Sequence, residues 1–167
     1  MDRPTRPGAV SAAVFPLSGT APRTCRLASS GVRDNDVVHR SRVSTLLIDA
    51  SSAEAQRSVS FWSAALGVEP VSEPGEEQFT SLPDAVPGLV TAVQAVDDQP
   101  RYHLDFETDD VEAETQRLLA LGAVEVSRWL ECRTLRVPGG HLVCVIPVHS
   151  DVAEFEANAH VWPTSGT

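Results

Sequence analysis

At 167 residues the chain has room for one domain, or for two small half-modules sharing a core, and its 42% apolar content is enough to pack one. No run approaches the roughly 18 apolar residues that cross a bilayer, so a soluble protein without a membrane partner is expected. The net charge is −10: seven Arg against three Asp give residues 1–42 a charge of +4, while six Arg against 20 acids leave the remainder at −14, a body that repels phosphate backbones and excludes nucleic-acid binding by the core.

Residues 1–42 carry Pro, Gly, Ser, Thr and Arg without a sustained period, a composition that reads as a disordered leader. Their Arg-rich, acid-poor character also fits a transit peptide, and no apolar core of a secretory signal is visible. Order is expected from Val43. Val43–Asp49 reads as a strand, and Ser51 or Ser52 is placed to cap the next element. Ala55, Val59, Trp62 and Leu66 fall on one helical face that Gly67 ends. Short strands are predicted at Glu69–Val71, Glu77–Ser81 and Leu89–Val96, separated by Pro-Gly turns.

The order then recurs. Tyr102–Phe106 is a strand with Tyr102, Leu104 and Phe106 on one face and His103 and Asp105 on the other. Asp109-Asp110 caps a helix whose stripe is Val111, Thr115, Leu118 and Leu119, and Gly122 stops it. Strands are predicted next at Ala123–Ser127, Thr134–Val137 and His141–Pro147. Ala65-Leu66-Gly67 and Ala120-Leu121-Gly122 close the two helices at matching points. This internal repeat predicts an α+β fold: two βαβββ modules, about 43–98 and 101–148, forming a curved mixed sheet around a central cleft. Residues 149–167 read as a C-terminal tail.

Phe61-Trp62 followed by Ala65-Leu66-Gly67 is similar to the "FY…LG" signature of glyoxalase, bleomycin-resistance and extradiol dioxygenase relatives. HLDFETDDVEAETQRLLALGA resembles the second module of the glyoxalase-like subgroup, and VPGGHLVCVI resembles its closing strand. The resemblance is to the vicinal oxygen chelate superfamily. It implies paired modules, commonly a homodimer, and in the metal enzymes a divalent ion held by four side chains. His103 matches the third ligand position and Gln94 lies about where the family has Glu. Cys144 stands at the last position, and Thr45–Ile48 supplies no His, Gln or Glu for the first.

The expected function is therefore small-molecule binding in a degenerate, metal-free pocket, with Gln94, His103, Asp105, Trp129 and Cys144 as ligand-binding candidates. The alternative is an enzyme. It would be either a metal-dependent lyase, isomerase or dioxygenase type, with a divalent ion on His103, Gln94 and Cys144, or a metal-free acid–base catalyst using His103 and Asp105. On the residues alone Cys144 reads equally as a small core side chain. The acids Glu107, Asp109, Asp110, Glu112 and Glu114 read as an exposed, solubilising helix start. Cys25, Cys132 and Cys144 form no CxxC pair, which points to a reducing, cytoplasmic setting.

Overall fold

The computed structural model describes residues 38–72 and 74–163. β1 (Val38–Ser51) leads into α1 (Ala55–Leu66), β2 (Val71–Ser72), β3 (Phe79–Ser81) and β4 (Val90–Val96). The second half has the same order: β5 (Arg101–Thr108), α2 (Val111–Ala120), β6 (Val124–Trp129), β7 (Cys132–Arg136) and β8 (Leu142–Pro147). Then come α3 (Val152–Asn158) and β9 (His160–Pro163). The strands make one mixed sheet in the order β2-β3-β4-β1-β5-β8-β7-β6, with β9 added to β1. Each half pairs its first and last strands in parallel, and the antiparallel β1–β5 ladder joins the halves.

Local chemistry explains the helix ends. Gly67 sits at φ 71° and its N–H bonds the Ser63 carbonyl, closing α1 in the left-handed conformation that glycine adopts without strain. Asp110 caps α2 by accepting from the Ala113 N–H at 2.9 Å. The expected serine cap of α1 does not form. Glu54 holds the cap position without a side-chain bond, and the Ser52 hydroxyl instead donates to Asp97 at 2.7 Å.

Helices cover one face of the sheet. Under α1, Ile48, Ala50, Leu82 and Val93 pack with Val59. Under α2, Leu135, Val143 and Val145 pack with Leu118 and Ala123. The opposite, inner face carries two smaller clusters, Leu47 with Phe79 and Ala92, and Cys132 with Cys144 and Ile146.

Both ends of the domain differ from expectation. β1 starts at Val38 rather than Val43, because Val38–Ser41 is paired with Pro163–His160 of β9. The expected leader and Cys25 otherwise lie outside the described residues. Residues 149–163 are folded onto the domain. Asp151 caps α3, Phe155 is 3% exposed, and the Trp162 indole donates to the Ser41 hydroxyl at 2.8 Å beneath the Arg117 guanidinium. No described helix is long and apolar enough to cross a membrane.

If this segment is part of the core, Phe155→Ala lowers stability by about 3 kcal/mol in urea denaturation. A loss below about 0.5 kcal/mol, the level of a neutral surface change, would show the segment to be dispensable.

Candidate functional site

Cross-strand partners point to the same side of a sheet, so the registers map the inner face directly. Asp49 on β1 lies opposite Gln94 on β4 and Arg101 on β5. Leu47 lies opposite His103. Asp105 lies between Thr45 on β1 and Cys144 on β8, and Cys144 lies opposite Thr134. The structure thus brings four of the sequence candidates, Gln94, His103, Asp105 and Cys144, onto one buried patch. None is more than 2% exposed.

His103 lies between the two aspartates. Its Nδ1 donates to Asp49 Oδ2 at 3.0 Å, and Asp49 is also 3.3 Å from the Arg101 guanidinium. Its Nε2 is 3.6 Å from Asp105 Oδ1 and has no hydrogen-bond partner among the described residues. Burial pulls the His103 pKa down, but the Asp49 bond and the charges of Asp105 and Asp49 outweigh it, so the imidazole is more basic than usual. Burial pushes Asp105 up to about 6 against the attraction of His103 and His149. Both thiols are held protonated by burial and by the Asp105 charge, Cys132 at about 11 and Cys144 higher still.

His103, Asp105 and Cys144 each offer a donor atom within 4.8 Å of the others. Their chemistry fits a divalent ion of the zinc type: one imidazole, one carboxylate and one sulfur. Asp49 on the far ring nitrogen is the partner that fixes a metal-binding histidine's orientation. Gln94 is placed beside Asp49, across the patch from Cys144. Trp129 is not brought into the patch. It lies on the outermost strand, opposite Cys132, and is 44% exposed.

Two acids read as solvating are buried. Glu114 binds His39 at 2.8 Å and Arg117 at 2.7 Å, and Glu107 is buried just as fully. The Glu107 carboxylate accepts from Arg42 Nε at 2.5 Å, from the Ser150 hydroxyl at 2.7 Å, and from the His149 and Ser150 amides at 3.1 Å each. Burial alone would raise the Glu107 carboxyl, but bonds from His149, Ser150 and Arg42 hold it well below the carboxylate range. A helix-start composition suggested solvation because its partners lie far along the chain.

A cavity of about 660 Å³ opens beside this cluster, its wall including Arg42, Ser81, Val90, Thr91, His149 and Glu154. Val90 stands in the cross-strand row of Asp105 through Thr45, and Arg42 in that of Glu107, so the cavity borders the buried patch. Sequence reasoning missed these residues, placing Arg42 in the leader and His149 in a tail without partners. The usable signal was the alternation His103, Asp105, Glu107, which puts a third charged group on the same face and requires a cation opposite it.

Two halves of the order strand, helix and three strands, sharing one mixed sheet, give the architecture expected of a glyoxalase-like domain. The sequence model of the glyoxalase-like domain matches residues 45–146, and the chain belongs to that family. Solved structures similar to it include methylmalonyl-CoA epimerase from Mycobacterium tuberculosis, at 14% identity and TM-score 0.41, with 66% of this chain and 90% of that one covered. Another is the Streptomyces coelicolor epimerase in complex with 2-nitronate-propionyl-CoA, at 15% identity and TM-score 0.41, covering 65% and 98%. A hypothetical protein from Staphylococcus aureus matches at 11% identity and TM-score 0.38 over 65% of this chain, which spans only 34% of that protein. No curated protein matches the chain.

The Glu107 cluster gives a signed pH prediction. A carboxyl depressed by folding contributes stability that is fully present above its unfolded pKa, near 4.5, and lost as the pH falls below it. Glu107→Gln should therefore cost about 3 kcal/mol at pH 7, leaving the Arg42 charge partly orphaned. In chemical denaturation the gap to the parent protein should shrink steadily below that pH. A pH-independent gap would mean the loss is one of shape alone.

Proposed function

We propose that this domain binds a small, partly apolar molecule in the cleft on the inner face. The observation that carries the reading is the cavity of about 660 Å³, which is within the size range of ligand sites and borders the buried patch that holds His103 and Asp105. His103, Asp105, Gln94 and Cys144 form the polar ground behind it, with His103 and Asp105 the groups whose protonation is most perturbed. On this reading the domain needs no metal to hold its ligand. Assembly as a homodimer belongs to the same proposal.

A second reading, an enzyme with a divalent ion, is favoured by one specific observation. Among the described residues the Nε2 of His103 lacks a hydrogen-bond partner, and it faces the Asp105 carboxylate with the Cys144 sulfur close by. His103, Asp105 and Cys144 would hold the ion, and it would supply Lewis-acid polarisation of a substrate oxygen. Asp49 would hold the imidazole in orientation, and the buried setting would exclude water. Without an ion, the same pair supports proton transfer by His103 with Asp105 as its charge partner.

A fragment screen followed by amide NMR tests the first reading. Binders should perturb residues 81–91 and 149–154, and Val90→Trp, which fills the cavity from a partly exposed position, should abolish the effect. Binders that map elsewhere, or persist in that variant, would remove the proposal. Elemental analysis of the purified protein separates the second reading. One tightly held divalent ion per chain, lost in His103→Ala, establishes a metal centre, and its absence after metal supplementation rejects one.

A further inference from the structure

The charge around the cavity, taken with one buried histidine, narrows the ligand class. The cavity is lined by the acids Asp84, Asp151 and Glu154, and Glu107 lies directly beneath Arg42. Arg42 is not free to meet an anion, because its guanidinium is bonded to Glu107 at 2.5 Å and to Glu154 at 2.9 Å. Even counting His149 as a cation, two positive groups face four carboxylates. The acidic body of the chain extends this field outward.

The second observation is His149 itself. Its side chain is 8% exposed and lines the cavity; Nδ1 is paired with Glu107 Oε2 at 3.1 Å, while Nε2 has no hydrogen-bond partner among the described residues. Buried polar groups are rarely left without partners, so Nε2 is a position at which a ligand completes the bonding. Val71, Leu82, Val86 and Leu89 supply an apolar part of the wall.

We infer that the cavity takes an uncharged or ammonium-bearing molecule with an apolar body, hydrogen-bonded by His149, and discriminates against anionic ligands such as acyl-CoA thioesters. The inference rests on the cavity being the ligand site and adds the charge class. An anion entering here loses hydration and meets an excess of carboxylate. An ammonium of the same shape gains from the same field.

Three probes of one skeleton test it on the full chain: cyclohexylmethylamine, cyclohexylmethanol and cyclohexanecarboxylate, with acetyl-CoA as a fourth. Affinity is read from amide shifts of residues 81–91 and 149–154. The expected order is amine, then alcohol, then carboxylate, with about tenfold or more between the first and last and no binding of acetyl-CoA. In Asp84→Asn/Glu154→Gln that ratio should fall to about threefold or less, since two of the repelling charges are gone. His149→Gln should weaken amine and alcohol alike. A carboxylate or acetyl-CoA that binds the cavity more tightly than the amine overturns the charge preference while leaving the cavity as the ligand site. Absence of any shift from all four probes removes both. An unchanged ratio in the double variant overturns the assignment of the preference to these acids.

Discussion

The antiparallel ladder between β1 and β5 is the constraint on which the rest of the molecule depends. It joins two halves that each have the same element order, and it sets Leu47 opposite His103. Side chains alternate along a strand, so a one-residue slip would turn His103, Asp105 and Glu107 toward the helices and bring Leu104 and Phe106 inward. The apolar clusters beneath α1 and α2 forbid that slip, because Ile48 and Val145 have no other place to be buried. Apolar periodicity fixes the register, and the register places the polar patch on the inner face.

Along β5 the same face carries two acids with opposite treatment. Glu107 accepts from a guanidinium, a hydroxyl and two amides, and its carboxylate is stabilised strongly enough to overcome burial. Asp105, one step of the alternation away, has no such donors and is pushed up toward neutrality. Neither is exposed to solvent, and the donors around Glu107 are what Asp105 lacks. Glu107 is thereby a structural clasp that fastens residues 149 and 150 to the sheet. Asp105 is left with unused bonding capacity, the condition in which a buried acid in a cleft points to chemistry or binding.

Much of this frame was legible in the sequence because it is written locally. The i, i+4 spacing of α1, the left-handed stop at Gly67, the Asp110 cap and the split of β5 into His103 and Asp105 against Tyr102, Leu104 and Phe106 all involve residues a few positions apart. What escaped was decided by contacts across the whole chain. β1 begins at Val38 only because β9 pairs with it, and no local pattern in Val38–Ser41 announces a partner more than a hundred residues later. Glu107 and Glu114 sit in an acidic run that reads as solvated until Arg42 and His39 arrive from β1. Trp129 was nominated for its aromatic ring, but its strand ends the sheet and leaves it at the rim.

The site itself follows from an asymmetry laid over a symmetric frame. The dyad through the Leu47–His103 pair relates Asp49 to Asp105, and their outer neighbours Gln94 to Cys144. Acids occupy both related positions, but the centre holds one imidazole and one leucine. A single ring cannot serve both halves equally. Nδ1 goes to Asp49, which Arg101 also neutralises, and Nε2 is left facing Asp105 and Cys144. The leucine fills the other half of the centre with Phe79 and Ala92, so that side is apolar and packed. Division of labour results: the second half carries His103, Asp105 and Cys144, while the first, with Ser81, Val90 and the loop between them, supplies most of the cavity wall.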